Sequence, residues 1–304
     1  MTPRHSHQHA DPAAADGEPA PQALRIVRAT HLGMCFGVRD AITLALHHAD
    51  AGPLTILGDL VHNDAVLDSL RSKGIVMAAE PVGVTTRIAM VTAHGASERK
   101  LASTRALGLE VVEATCPLVR VAHRAIRALI RDGYYPVIIG QRNHVEVLGL
   151  TEDLDEFDVV LDEEEILALE ERPRIGVAAQ TTQPIDRVRH MVSLIRRQFP
   201  RSDVRFIDTV CRPTKERQQS AVQLSRDCDV VIVIGGANSN NTRELVSTCR
   251  QHCSHVYHVQ TELDLRHEWF LNAEVVGLTA GTSTPDDIID RVEHRIHRLS
   301  GDPQ

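Results

Sequence analysis

Short apolar runs alternate along the chain with longer stretches whose apolar positions recur at helical spacing. The runs at 24–29, 54–57, 87–92, 110–114, 135–139, 158–161, 174–178, 204–207, 229–234, 256–259 and 274–278 are rich in β-branched residues and read as strands. Between them, 38–48, 65–73, 98–107, 118–132, 184–199, 215–226, 242–251 and 285–299 read as amphipathic helices. Strands separated by helix-length segments indicate βαβ units with mainly parallel sheets, hence an α/β fold. Residues 1–24 show no such periodicity and are rich in Ala, Pro, Asp and His, which reads as a disordered tail; its His5, His7 and His9 are at most a weak metal site.

In parallel sheets ligands bind beyond the carboxyl ends of the strands, so chemistry is sought where strand gives way to helix. Those junctions are small and polar here. They carry Cys35, His62, His94, Cys116, His144 with Glu146, Thr181, Cys211, the Ser239-Asn240-Asn241 segment and Ser283.

Cys35, Cys116 and Cys211 are spaced by 81 and 95 residues, each about one small α/β unit. Three thiolates are too few for a closed structural zinc site, which almost always has four ligands, and suit an iron–sulfur cluster with one open iron. Spacing alone leaves three incidental, buried cysteines as the alternative. Cys228 abuts an apolar run, and Cys249 and Cys253 lie four apart in a helical stretch, so these three read as packing residues.

The histidines at 62, 94 and 144, with Ser239, Asn241 and Ser283, form a donor set suited to a multiply charged oxyanion, helped by helix N-termini after the same strands. No GxxxxGK[ST] P-loop and no G-x-S-x-G element occurs, which counts against an α/β phosphotransferase or hydrolase without a cluster.

Composition narrows the class further. With 304 residues there is room for more than one compact unit, and aromatics at 3% leave the cores to Val, Ile, Leu and Ala. A net charge of −8 argues against a nucleic-acid partner. No apolar run is long enough to span a membrane and no export signal opens the chain, so a cytoplasmic location and reduced thiols are expected.

Taken in order, Gly33-Met-Cys35-Phe-Gly37-Val38, Val61-His62-Asn63, Ala93-His94-Gly95, Ala114-Thr-Cys116-Pro117, Gln180-Thr181-Thr182, Asp208-Thr-Val-Cys211, Asn238 to Asn241 and Gly281-Thr-Ser283-Thr-Pro285 resemble the 4-hydroxy-3-methylbut-2-enyl diphosphate reductase (LytB) family from about residue 25 to 300. The resemblance implies three α/β domains, at 25–116, 117–210 and 211–304, in pseudo-threefold arrangement around one 4Fe–4S cluster. It implies Cys35, Cys116 and Cys211 as its ligands, with the fourth iron open. It makes His62, His94, His144, Ser239, Asn240, Asn241 and Ser283 the diphosphate-binding residues, and Glu146 with Thr181 the catalytic pair. The implied reaction converts an allylic diphosphate to isopentenyl and dimethylallyl diphosphate in the methylerythritol phosphate pathway, with ferredoxin or flavodoxin as electron donor.

The chain departs from the family pattern at Gln141 to Val145, at Lys215 and Glu216, and at Asn240 and Thr242. Those departures keep open a cluster-bearing binding or sensor protein without turnover.

Overall fold

The computed structural model describes residues 24–301. The segment 1–24 read as a tail therefore lies outside the described residues, except for Leu24, which is buried in a core. Strand β1 (Arg25–Arg28) and helix α1 (Phe36–Ala51) lead into β2 (Leu54–Leu57), α2 (Asp64–Ser72), β3 (Val76–Ala78), β4 (Ile88–Val91), α3 (Glu98–Ala106) and β5 (Glu110–Glu113). Helix α4 (Pro117–Arg131) opens a second unit with β6 (Tyr135–Ile139), α5 (Val145–Thr151), β7 (Asp158–Val160), α6 (Glu163–Leu167), β8 (Arg174–Ala179), α7 (Ile185–Gln198) and β9 (Asp203–Phe206). A third follows with α8 (Arg212–Arg226), β10 (Val230–Ile234), α9 (Asn240–Arg250), β11 (Val256–Val259), β12 (Val275–Ala280) and α10 (Asp286–Leu299).

The strands form three four-stranded sheets, each wholly parallel, in the orders β3-β2-β4-β5, β7-β6-β8-β9 and β11-β10-β12-β1. The three orders are one pattern. Its fourth strand is β5, β9 and, for the last sheet, β1 from the opposite end of the chain. Arg25 to Arg28 pair in register with Val275 to Leu278, so β1 closes the third sheet although the chain-order division placed it in the stretch 25–116. Leu24 and Ile26 pack into that third core, which is what draws the strand there.

Central strands such as β10, Val-Val-Ile-Val-Ile, are buried along their whole length, as expected when helices cover both faces. The edge strands β5 and β9 each carry two charged residues and stay partly exposed. Helix α4 shows how the pattern becomes packing. Pro117 occupies its first turn, where a missing N–H costs nothing, and Val119, Ala122, Ala125, Ile126 and Leu129 form one buried stripe.

Each long helix after a fourth strand crosses to the next unit: α1 packs on β2, α4 on β6 and β8, and α8 on β10 and β12. Among the described residues no helix is long and apolar enough to cross a membrane.

Candidate active site

Cys35, Cys116 and Cys211 are the N-cap residues of α1, α4 and α8, so one cysteine stands at each crossover. Their backbone N–H groups make the same bond three times, to the carbonyls of Thr282 (2.9 Å), Ala93 (3.0 Å) and Thr181 (2.9 Å), each just past the neighbouring strand. None of the three side chains caps its helix. The Cys211 thiol instead donates to Thr214 Oγ1 at 3.1 Å.

Cys35 acts electrostatically on both Cys116 and Cys211, and Glu146 acts on the same two. A Cβ at Gly37 would lie 2.3 Å from Cys116 Sγ, so glycine there keeps space open beside the thiol. Burial raises the Cys116 thiol pKa, against N–H groups of Leu118 and Val119 that lower it, and pushes Cys211 up to about 11. Metal binding must displace those protons.

The remaining cysteines lie at the other ends of the strands. Cys249 and Cys253 are buried in the core beside β10 and β11, with Cys228 packed against it.

His62 follows β2, His94 follows β4 and His144 follows β6, and the structure brings the three rings together. Centroids of His62 and His94 are 4.4 Å apart in a stack; His144 meets them edge-on at 5.3 and 5.6 Å. His144 caps α5 by accepting the Glu146 N–H at Nδ1, 3.1 Å away, which leaves its proton on Nε2. Burial lowers all three pKa values: His62 moderately, His144 to about 3 and His94 well below its ordinary value. Without a ligand the site therefore holds three neutral imidazoles.

Glu146 is 1% exposed and its carboxylate accepts from Thr181 twice, from the backbone N–H (2.6 Å) and from Oγ1 (3.0 Å). Those bonds favour the charged form, yet burial outweighs them and raises its pKa to about 7. A carboxyl poised there can hold or release a proton at neutral pH. Thr181 is both its partner and the carbonyl that anchors Cys211.

The third unit supplies Ser239, Asn240, Asn241 and Ser283, all buried. Ser239 caps α9 by accepting the Thr242 N–H. Asn241 Oδ1 accepts the Thr282 N–H at 3.0 Å, and its Nδ2 is a buried donor without a partner. Asn240 is placed differently from its neighbours: its Nδ2 donates to Thr182 Oγ1 at 3.0 Å, tying the third unit to the second, and its Oδ1 is buried and unpaired. Ser283 Oγ reaches the His62 carbonyl at 3.4 Å.

Two residues near this set escaped the sequence reading. Arg243 sits at its rim, donating to Gln141 Oε1 at 3.0 Å and depressing the pKa of His62 and His144. Arg217 is buried and donates to the Gly33 carbonyl, two residues before Cys35. Arg243 directly follows the Ser239–Thr242 segment; Arg217 had no flag beyond its nearness to Cys211.

Fold and site together define a three-unit α/β protein that combines three cysteines at helix N-cap positions, three clustered imidazoles and one buried acid. The chain belongs to the LytB protein family, whose description matches residues 26–297. Proteins of Aquifex aeolicus (35% identical, covering 90% of this chain and 96% of that one) and Dictyoglomus thermophilum (37% identical, 89% and 95%) are named 4-hydroxy-3-methylbut-2-enyl diphosphate reductase. A solved structure of (E)-4-hydroxy-3-methyl-but-2-enyl diphosphate reductase, described as the terminal enzyme of the non-mevalonate pathway, is 35% identical, covers 90% of this chain and 99% of its own, and superimposes with a TM-score of 0.66. The reductase of Plasmodium falciparum is 25% identical with a TM-score of 0.86, covering 90% and 88%.

Proposed function

We propose that this protein is a 4-hydroxy-3-methylbut-2-enyl diphosphate reductase. It removes the hydroxyl group of that allylic diphosphate with two electrons and two protons, releasing water and forming isopentenyl and dimethylallyl diphosphate. The observation that carries the reading is the combination of three cysteines at helix N-cap positions, the three-imidazole pocket and buried Glu146.

The donor set fits a 4Fe–4S cluster held by Cys35, Cys116 and Cys211, with the fourth iron free of protein ligands. The space kept open at Gly37 and the three thiols unspent on capping support that fit. When bound, the cluster supplies electrons and Lewis acidity to the hydroxyl end of the substrate. His62, His94, His144, Ser239, Asn241 and Ser283 bind the diphosphate, with the unpartnered Asn241 Nδ2 as a ready donor. Asn240 shapes the pocket through Thr182. Fixing the diphosphate orients the far end of a short substrate, which makes the step effectively intramolecular. Glu146 delivers a proton to the leaving hydroxyl, and Thr181 holds its carboxyl in place. Ferredoxin or flavodoxin supplies the electrons, and a reducing cytoplasm keeps the thiols available.

The test is anaerobic reconstitution with iron and sulfide, followed by assay of substrate reduction with an artificial reductant. Wild type should bind iron and turn over. Cys35→Ser, Cys116→Ser and Cys211→Ser should each lose iron and activity, whereas Cys228→Ser, Cys249→Ser and Cys253→Ser should keep both. An iron-loaded wild type without turnover would overturn the reading.

A further inference from the structure

The three cysteine-capped helices are related positions of one pattern, and comparing them isolates a single residue. Six places after its cysteine, α1 has Ala41 and α4 has Ala122, which are 1% and 0% exposed. At the same place α8 has Arg217, 7% exposed. A guanidinium takes the position that two related helices fill with a methyl group.

Burying that charge requires partners. Arg217 Nε and Nη2 both donate to the Gly33 carbonyl, at 3.0 and 2.7 Å, and Nη1 donates to the Pro213 carbonyl at 3.0 Å. Among the described residues no carboxylate lies within ion-pair distance of it. The groups that favour its charge most are Cys35 and Cys211, ahead of Glu216.

Gly33 lies two residues before Cys35, in a left-handed turn with φ +73°. Arg217 therefore reaches from the helix headed by Cys211 and grips the loop that delivers Cys35. Among the described residues no related side chain does this for Cys116.

Resting on the metal-centre reading above, we propose that Arg217 is a positioning residue that fixes Cys35 relative to Cys211 and places a buried positive charge beside the metal group these thiols hold, raising its reduction potential. The sign follows from electrostatics. Adding an electron makes the centre more negative, and a nearby cation lowers the free energy of that state more than of the oxidised one.

The experiment compares wild type, Arg217→Lys and Arg217→Gln after anaerobic reconstitution, measuring iron and sulfide per chain, circular dichroism, and the reduction potential by titration. Arg217→Gln should shift the one-electron reduction equilibrium against the reduced form by about tenfold or more, which is about 59 mV. Arg217→Lys keeps the charge and should stay within that interval of wild type. A fully loaded Arg217→Gln with the wild-type potential would overturn the proposal. If Arg217→Gln does not fold or load, Arg217→Lys decides: loading at the wild-type potential supports the charge, and failure to load overturns it in favour of a purely architectural role. An iron-free wild type would instead sink the metal-centre reading itself.

Discussion

At Glu146 two opposing effects can be separated residue by residue. Burial favours the neutral acid, the two bonds from Thr181 favour the carboxylate, and burial wins, moving the pKa from an ordinary 4.5 to about 7. A folded-state pKa above the unfolded value means that stability is fully present below about 4.5 and is lost as pH rises through about 7. The shift corresponds to roughly 3 kcal/mol of stability surrendered once the carboxyl ionises in the folded protein. Glu146→Gln removes the ionisation while keeping the shape. Metal-free Glu146→Gln should therefore match wild type near pH 4.5 and become more stable by up to roughly 3 kcal/mol above pH 8. Denaturant midpoints measured across that range check this, and parallel curves for the two proteins would place the raised acid elsewhere. The sequence named Glu146 through its motif, but nothing in the motif carries the burial that sets its pKa.

Among elements, the longer ones were legible and the short ones were not. The helices α1 to α4 and α7 to α10 and eleven strands announce themselves by periodicity. Missing from that reading are β3, α5 and α6, with three, seven and five residues. Segments so short hold little periodic information, and tertiary contact makes them: in α5, Val147 and Leu150 are buried in one core with Ala122 and Ile126 of α4. The cysteines illustrate the same division. Their place at strand exits could be read from the chain, whereas their common role as helix N-caps appears only once α1, α4 and α8 are seen to start immediately after them.

Gly37 in α1 tests this arrangement because helix propensity and packing pull it opposite ways. Alanine is the better helix former by about 1 kcal/mol, but its Cβ would crowd Cys116 Sγ at 2.3 Å. Gly37→Ala should keep its circular dichroism and thermal stability and lose most of its reconstituted iron. Wild-type iron content in that variant would show that the thiol has room to move aside.

At the scale of the whole molecule, the strand order repeated in three sheets explains why one strand was misplaced by chain order. Periodicity identifies β1 as a strand but says nothing of its partner, and the partner β12 lies at the far end of the chain. The structure gathers His62 and His94 from the first unit and His144 from the second into one pocket, and Ser283 from the third reaches the His62 carbonyl. This protein carries a net charge of −8, so its long-range field does not attract a polyanion, and the pocket must supply the attraction locally. Its imidazoles are neutral when free because burial and mutual repulsion lower their pKa values. A bound diphosphate reverses that balance by placing several negative charges against the rings, so the histidines gain protons as it binds. Binding of inorganic diphosphate at pH 7 should then be accompanied by net proton uptake, and affinity should fall as pH rises above 7. Calorimetric titration in buffers of different ionisation enthalpy reads the uptake directly, and His62→Gln combined with His94→Gln should reduce it. Heats that do not depend on the buffer, in the presence of saturable binding, would mean that the rings bind the anion as neutral hydrogen-bond donors and that charge matching comes from Arg243 at the rim.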